Sequence, residues 1–493
     1  MRRLFSMVLG VTMVAALMTG CGNNNAKDTT SNNAGNKNNA TTNSTTNDAA
    51  DTTDDTASAE PVTITLGIWP EDTLTDDIKM HEGFVKTMKE KDPNVTCTPA
   101  YYKYATDTFM PMVQAGNCPT VFETWFTEPQ KLIQSKAIAD ITDELQARGW
   151  LDQMTPAIKA LLSDSNGRVY GIPRDGYALG LYCNVEVFEE AGLVDEGGYP
   201  IYPKTWDELA ETAKTIKDKT GAAGICILAK NNAGGWHFSN IAWAFGANLV
   251  TLNDDGTYTS HLDCDEAIKA MEYVKSLKWD YDVLTADPTN EDWGTGYTQL
   301  GTGGAAMYMG GADGIAQPTQ TNGLAVDKLA LVPMPAGPGG QYSLYGGTPY
   351  VFLPDATEAE INAALDYLEV MGKAPVVNDE VIAGLKADAQ NRVDNGVPVI
   401  KPLSCWTNGE YGKEQEKVVE EFQNVDPKMF QDYFDTIEKE GNLRTEEPGD
   451  TQKMYEQYTN VLQAVLTDKN ADIPALMKTA NDNYQKILDD MNK

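Results

Sequence analysis

The sequence has few basic residues, few histidines and no paired cysteine motif. Its 493 residues include 38 Lys and Arg against 72 Asp and Glu, a formal net charge of −34. That shortage of positive charge argues against a nucleic acid partner, which needs clustered Lys and Arg, and against docking on anionic lipid. The three histidines (His81, His237 and His261) lack helical spacing, and the seven cysteines include no C-x-x-C pair. We therefore expect no metal site.

Familiar catalytic motifs are also missing. The sequence contains no G-x-x-x-x-G-K-[ST] loop, no G-x-S-x-G elbow and no H-E-x-x-H motif. The run 301–306 formally fits G-x-G-x-x-A, but it precedes an apolar strand, whereas a dinucleotide-binding loop follows one. We expect no cofactor on these grounds. A glycosidase-like carboxylate pair stays open, because one sequence does not show how far apart two acids lie.

Long apolar runs are absent except at the N-terminus. Met1-Arg2-Arg3 is followed by an apolar stretch from Leu4 to Leu17, which is short for a membrane span and typical of a secretory signal. The segment 17–21, Leu-Met-Thr-Gly-Cys, resembles a bacterial lipobox, although Leu, Val or Ile is more usual where Met18 stands. We expect residues 1–20 to be a lipoprotein signal peptide and Cys21 to carry the lipid. Ordinary cleavage and release is the alternative.

Residues 21–60 lack the side chains that a folded core requires. Positions 22–60 contain ten Asn and nine Thr but no Val, Ile, Leu, Met, Phe, Trp or Tyr. Such a segment cannot offset the roughly 1–2 kcal/mol of backbone entropy that each ordered residue costs. We predict a disordered tether that holds a soluble domain near, but outside, a membrane. Nearly all of the negative charge lies in 61–493, because residues 1–60 hold only 6 acidic and 4 basic residues.

After the tether, strand-like and helix-like segments alternate. Val62–Leu66 has the pattern of a strand, Asp76–Glu90 that of a helix, and Thr120–Phe122 that of a short buried strand. Thr205 and Glu208 form a capping-box pattern at the start of another helix. This alternation predicts an α/β fold with mainly parallel sheets, followed by a mostly helical C-terminal part.

Tryptophans in loops after strands are the first indication of a ligand site. Ligands of open α/β sheets bind beyond the carboxyl ends of strands, so tryptophans there are candidate walls of a cleft. A flat indole suits the apolar face of a sugar ring, while carboxylates and amides accept its hydroxyl groups. The four candidates are Trp69, Trp125, Trp236 and Trp406. Core packing is the alternative for each, and it is our interpretation for Trp150, Trp206 and Trp279.

Short motifs that follow one another between about Pro61 and Pro354 carry a family resemblance. They are Gly167–Pro173, Leu181–Asn184, Phe188–Leu193, Pro203–Leu209, Gly303–Met307, Pro333–Gly340 and Gly346-Gly347. Together they resemble the family 1 extracellular solute-binding proteins of bacterial ABC importers. The C-terminal third is similar to that family only in its helical character.

The resemblance implies a fold similar to that of maltose-binding protein. This is a type II periplasmic-binding-protein-like α/β fold with two lobes, a hinge and a ligand cleft between the lobes. The first lobe is expected at about 61–174 and 346–400, and the second at about 175–345 with much of the helical C-terminus. Hinge closure on the solute would then present the closed form to a membrane permease. We expect a monomer that carries out no bond chemistry.

The resemblance also implies which residues face the cleft. Gly346 and Gly347 are expected to let the backbone approach the ligand without a Cβ in the way. Asp313 stands where many sugar-binding relatives have a Trp, so it can accept hydroxyl hydrogen bonds but cannot stack; Trp406 or Trp236 is expected to stack instead. The candidate ligand-binding residues are Trp69, Glu123, Trp125, Asp175, Tyr177, Trp236, His237, Asp313, Gly346, Gly347 and Trp406.

The predicted function is capture of a carbohydrate, in particular an oligosaccharide, by a lipid-anchored receptor on the outer face of a bacterial cell membrane. The expected partners are that sugar and the transmembrane subunits of an ABC permease. A non-sugar solute remains an alternative: acidic cleft residues would suit a polyamine, a peptide is also open, and a phosphodiester would want a basic cleft. A surface glycan-degrading enzyme and an adhesin without transport are the alternatives from other classes.

Overall fold

The computed structural model describes residues 61–253 and 255–491. The predicted signal peptide, Cys21 and the tether lie outside these residues. In the described part of the chain, no helix combines the length and apolar character needed to cross a membrane.

The strands form one large mixed sheet and a separate hairpin. In chain order they are β1 (Val62–Leu66), β2 (Val95–Pro99), β3 (Val121–Glu123), β4 (Gly171–Asn184), β5 (Ala223–Cys226), β6 (Val250–Leu252), β7 (Tyr258–Ser260), β8 (Ala305–Gly311), β9 (Leu329–Val332), β10 (Ser343–Phe352) and β11 (Leu443–Thr445). The large sheet follows the order β2-β1-β3-β10-β4-β8-β5, with β11 on β10 and β9 on β4, while β6 pairs with β7.

Helices surround this sheet and dominate the C-terminal part. They are α1 (Thr75–Lys91), α2 (Thr106–Gln114), α3 (Pro129–Gln134), α4 (Thr142–Ala147), α5 (Pro156–Leu161), α6 (Val185–Ala191), α7 (Trp206–Thr220), α8 (Ala233–Ala244), α9 (Asp265–Trp279), α10 (Trp293–Gly301), α11 (Glu358–Val370), α12 (Asp379–Asp394), α13 (Gly409–Phe422), α14 (Lys428–Ile437), α15 (Thr451–Thr467) and α16 (Ile473–Met491).

Two long strands connect the two halves of the fold. The first half of β4 pairs with β10, from Gly171 with Val351 to Ala178 with Tyr345. The second half pairs with β8 and β9. β4 is antiparallel to all three of its partners, β10, β8 and β9. The prediction of a mainly parallel sheet is therefore wrong around these strands, although β1–β2, β1–β3 and β5–β8 are parallel.

We call β4 and β10 the crossing strands, and the region where they pair the crossing. A separate hydrophobic core lies on each side of it. The first-lobe core combines Ile64, Val121 and Phe352 with residues of α11. The second-lobe core combines Leu181 with residues of α8, α9, α15 and α16. Along β4, Leu181 and Tyr182 enter cores on opposite faces of the sheet, as alternating strand residues must. The fold is thus the expected two-lobed α/β fold, while the residue boundaries of the lobes stay a prediction.

Local sequence signals account for several element ends. The Thr205 hydroxyl accepts a hydrogen bond from the Glu208 N–H at the start of α7, as the capping-box pattern indicates. The Glu208 carboxylate accepts its reciprocal hydrogen bond from the N–H of Lys204, one residue earlier than the motif predicts. The helix ends at Gly221, whose φ of 79° is a conformation that glycine adopts without strain.

Candidate functional site

The carboxyl ends of four strands converge on the crossing strands from both lobes. β3 is antiparallel to β10 and so runs toward the crossing. β1 is parallel to β3 and runs in the same direction. From the other lobe, β8 is antiparallel to the second half of β4, and β5 is parallel to β8. Loops that follow these strands therefore border the space between the lobes, the position at which open α/β sheets bind ligands.

A three-residue ion-pair cluster joins the end of β3 to β4, across the intervening strand β10. The Arg174 guanidinium donates to Glu123 at 2.7 Å and to Asp175 at 2.8 Å. Burial raises the pKa of Glu123, and the charge of Arg174 opposes that rise. Burial would lower the pKa of Arg174, but Asp175 and Glu123 hold it well above its usual range. The structure thus brings together two predicted residues, Glu123 and Asp175, through an arginine that already neutralises them in part.

Asp313 lies just beyond the carboxyl end of β8, in a turn at 312–314. The residue remains open to solvent, yet the protein around its carboxylate desolvates it, and this desolvation with the charge of Asp175 raises its pKa to about 7. The charge of Arg174 and the N–H groups of Asp313 and Gly314 oppose this rise in pKa in part. A carboxylate has about four lone-pair sites, so Asp313 can still accept hydrogen bonds from a ligand.

Tyr177 and Trp236 form an aromatic corner between the crossing strands and the second lobe. Their rings meet edge to face, with centroids 6.1 Å apart. Burial, followed by the carboxylates of Glu446 and Asp313, raises the pKa of Tyr177 well above its usual value. The Trp236 Nε1–H opposes that rise, but it has no hydrogen-bond partner of normal geometry. Trp236 lies in the first turn of α8, not in the loop where the sequence placed it.

Glu446 adds a second carboxylate beside this corner. It accepts a hydrogen bond from the Tyr455 hydroxyl at 2.8 Å. Burial raises its pKa to about 7, and the nearby charge of Glu128 acts in the same direction. The second-lobe side of the site thus combines aromatic faces with carboxylate acceptors.

Gly346 and Gly347 serve protein packing, which corrects the expected reason for them. They lie in the middle of β10. A Cβ on Gly346 would come within 2.4 Å of the Tyr177 hydroxyl oxygen, and one on Gly347 would come within 2.3 Å of the Phe126 ring. The space that these glycines leave is therefore filled by Tyr177 and Phe126, and not kept free for a ligand.

The two predicted first-lobe tryptophans differ in exposure. Trp125 follows β3, is 39% exposed and packs edge to face against Tyr104 at 5.4 Å. Trp69 follows β1, is partly buried in the first-lobe core and packs against His81, also at 5.4 Å. Trp125 is therefore the more exposed of the two.

His237 and Trp406 lie in the interior, contrary to their expected contact with a ligand. His237 is fully buried between the rings of Trp236 and Tyr308, with centroids 4.7 and 5.3 Å away. Burial lowers its pKa to about 3, so its ring is neutral. Trp406 is only 8% exposed and belongs to the first-lobe core. This burial leaves little of the indole exposed for stacking, and a contact of Trp406 with a ligand stays a prediction.

Trp293 is a cleft candidate that the sequence reasoning missed. It starts α10, is 39% exposed and packs edge to face against buried Tyr297 at 5.0 Å. The Glu291 carbonyl accepts hydrogen bonds from the N–H groups of Ala229 and Lys230, which places the start of α10 at the carboxyl end of β5. A search for tryptophans directly after strands overlooks it, because Trp293 starts a helix.

The sequence analysis also missed Arg174 and Glu446. Glu446 was missed because no family motif covers the C-terminal third.

Metal-ligating side chains do not cluster in the described residues. Across 61–253 and 255–491, no group of three or more His, Cys, Asp and Glu side chains is arranged to hold a metal ion. The cysteines there are free thiols: Cys97, Cys118, Cys183, Cys226, Cys264 and Cys405.

Two lobes joined by crossing strands, with polar and aromatic side chains between them, define the class of hinged binding proteins. Within that class, the chain belongs to the bacterial extracellular solute-binding proteins, whose family profile matches residues 73–376. A protein of Brucella abortus that carries a binding-protein name is 28% identical over 228 residues, which are 43% of this chain and 49% of that protein. The diacetylchitobiose-binding protein DasA of Streptomyces coelicolor is 27% identical over 179 residues, 36% of this chain and 38% of its own length. The chain thus spans half or less of these curated relatives.

Solved structures show the fold over nearly the whole described region. An ABC transporter solute-binding protein from Thermotoga lettingae, bound with α-D-tagatose, has a TM-score of 0.66 at 18% identity and covers 86% of this chain and 99% of its own. UgpB from Mycobacterium tuberculosis, in complex with glycerophosphocholine, has a TM-score of 0.65 at 15% identity and covers 88% and 100%. At these identities, the likeness defines the fold alone.

Proposed function

We propose that the cleft binds a carbohydrate, in particular an oligosaccharide, and that the lobes close on it. The observation that supports this proposal best is the edge-to-face pair of Tyr177 and Trp236 with the charge of Asp313 close to Tyr177. Aromatic faces suit the apolar side of a sugar ring, and carboxylates accept hydrogen bonds from its hydroxyl groups. Trp125 and Trp293 add exposed aromatic surface on the two lobes, so the cleft has more stacking surface than a single ring would use. DasA is named for binding diacetylchitobiose, and the Thermotoga lettingae protein holds α-D-tagatose, which supports the same ligand class.

The wider role that we propose is delivery of the solute to an ABC permease. The closed form would be the state that the permease recognises, and the binding protein itself would act as a monomer. We further propose that Cys21, outside the described residues, is lipidated and anchors the protein to the outer face of the membrane. Cys21→Ser should release the protein into the medium, while the wild type should remain in the membrane fraction and incorporate labelled palmitate.

The direct test of the proposed ligand is calorimetry of the purified protein with a panel of mono- and oligosaccharides. We expect saturable binding of at least one sugar. Absence of binding across the panel would contradict the carbohydrate proposal. Breakdown of a bound glycan over hours would contradict the binding-only role and favour the glycan-degrading alternative.

A positively charged non-sugar solute is the second candidate. The charges of Glu446, Asp313 and Asp175 all act on Tyr177, and Arg174 is already paired with Glu123 and Asp175. An excess of carboxylates favours a cation such as a polyamine. Spermidine therefore belongs in the same panel, and glycerophosphocholine, which UgpB holds in its structure, tests the phosphodiester alternative. Binding of either one, with no sugar bound, would replace the carbohydrate proposal.

A further inference from the structure

The two lobes also meet in a polar contact outside the paired strands. On the first lobe it involves the loop after β3 and the start of α3; on the second lobe it involves the start of α15. Lys131 Nζ lies 3.3 Å from a carboxylate oxygen of Asp450, and Gln452 Nε2 donates to the Thr127 hydroxyl at 3.0 Å. We call Thr127, Lys131, Asp450 and Gln452 the interlobe contact.

Each side of the contact is fixed within its own lobe. Lys131 also lies 3.6 Å from Glu128, a buried residue that accepts a hydrogen bond from the Tyr104 hydroxyl. Asp450 accepts a hydrogen bond from the Lys453 N–H and so caps α15. Side chains held in this way lose little further freedom when they meet, so their contact costs less entropy than one between free surface chains.

The contact residues follow closely on residues that border the cleft. Thr127 comes two residues after exposed Trp125, and Asp450 comes four residues after Glu446. Separation of the lobes would pull the two loops apart. The ion pair is also shielded in part, since the side chains of Lys131 and Asp450 are 32% and 15% exposed. A partly buried pair is less screened by salt than a fully exposed one.

We propose that the interlobe contact is a latch that limits how far the lobes open. In this role Lys131 and Asp450 are positioning residues: they touch no ligand, but they set the separation of the two cleft walls. Without the interlobe contact, only the bending of the crossing strands β4 and β10 would set that separation. The proposal does not depend on which solute the cleft takes, because the latch acts on the ligand-free protein.

The test is a distance measurement between the lobes of the full-length, ligand-free protein. Spin labels on unnatural amino acids at Glu82 in α1 and Lys269 in α9, both exposed, avoid the free cysteines. Lys131→Met removes the charge, and Asp450→Asn removes it while keeping an N-cap side chain. We expect each variant to shift the distance distribution to longer values. The double variant should shift the distance no further, since each substitution already breaks the same Lys131–Asp450 pair.

Lys328→Met is the matched control. Lys328 pairs with Glu189 at 2.7 Å within the second lobe, and its side chain is 28% exposed, close to the value for Lys131. We expect this control to leave the interlobe distance unchanged. Unchanged distances in both latch variants, or an equal shift in the control, would overturn the proposal. Thermal melting of all variants separates an altered lobe arrangement from a loss of folding.

Discussion

Tyr177 and Trp236 meet edge to face at 6.1 Å, although one lies in a crossing strand and the other at the start of a second-lobe helix. Tyr177 has room there because its strand partner is Gly346, where a Cβ would strike the tyrosine ring. Beneath Trp236 lies the buried ring of His237, 4.7 Å away and tilted by 32°. The ring that we propose to stack on a sugar is therefore held from two sides.

Trp236→Ala should weaken binding of any sugar found in the screen by at least about tenfold, which corresponds to ~1.4 kcal/mol. The loss follows from removal of an aromatic face that would pack on the sugar ring. His237→Phe is the informative control, because the buried ring can be replaced by another ring without removing a ligand contact. We expect its affinity to stay within about threefold of wild type. Calorimetry measures the affinity of each variant for the sugar. A Trp236→Ala variant with wild-type affinity would mean that Trp236 does not contact the ligand.

Trp293→Ala should also weaken sugar binding, by about three- to tenfold, because it removes 39%-exposed aromatic surface at the carboxyl end of β5. Trp279→Ala is the matched control. Its indole donates to the Val465 carbonyl at 2.8 Å on α15, away from the crossing strands, so its loss should lower thermal stability without changing affinity. Equal affinities for wild type and Trp293→Ala would place Trp293 outside the ligand contact surface.

The local elements were predictable from the sequence, whereas the strand pairings were not. The predicted strand at Val62–Leu66 is β1 to the residue, and the helix predicted over 76–90 is α1, because alternation and helical periodicity are local patterns. The crossing depends on pairs such as Tyr177 with Gly346, which lie far apart in the chain. No local pattern encodes such a pair, and the mainly parallel sheet was wrong for that reason.

The candidate site was predictable only in part, and the misses have physical causes. Position after a strand indicated Trp125, and the family resemblance indicated Asp175 and Tyr177; the structure places all three along or beside the crossing. Trp406 also lies in a loop, but its side chain turns into the first-lobe core, since a loop position does not fix the direction of a side chain. Whether these residues bind a ligand stays a prediction.

Gly347→Ala should destabilise the protein by about 1–3 kcal/mol, because the added methyl group has no free space. Its Cβ would lie 2.3 Å from the Phe126 ring and 2.5 Å from the Asp175 carbonyl oxygen, and the backbone atom cannot rotate away. Gly83→Ala is the control: it lies within α1 with no atom near the added Cβ, so it should stabilise the helix by ~0.5–1 kcal/mol. Denaturant unfolding measures both. A neutral Gly347→Ala would mean that the crossing strands adjust freely.

The cleft carboxylates should make the ligand-free protein less stable as the pH rises from about 4 to about 7. Desolvation raises the pKa of both Asp313 and Glu446 to about 7, whereas in the unfolded chain they titrate near their usual values of about 4. Between those values the folded state binds more protons than the unfolded state, so the free energy of unfolding falls as the pH increases. Other groups titrate in the same range, so the informative quantity is the difference between wild type and variant.

Asp313→Asn combined with Glu446→Gln removes both titrations and should flatten that fall in melting temperature between pH 5 and 7.5. Asp255→Asn is the control, because a hydrogen bond from the Thr257 hydroxyl lowers the pKa of Asp255, and its titration therefore lies below this range. Its pH profile should keep the wild-type slope. A double variant with that same slope would mean that Asp313 and Glu446 ionise at ordinary pH values, and hence that the site between the lobes is more open to water than the packing around them indicates.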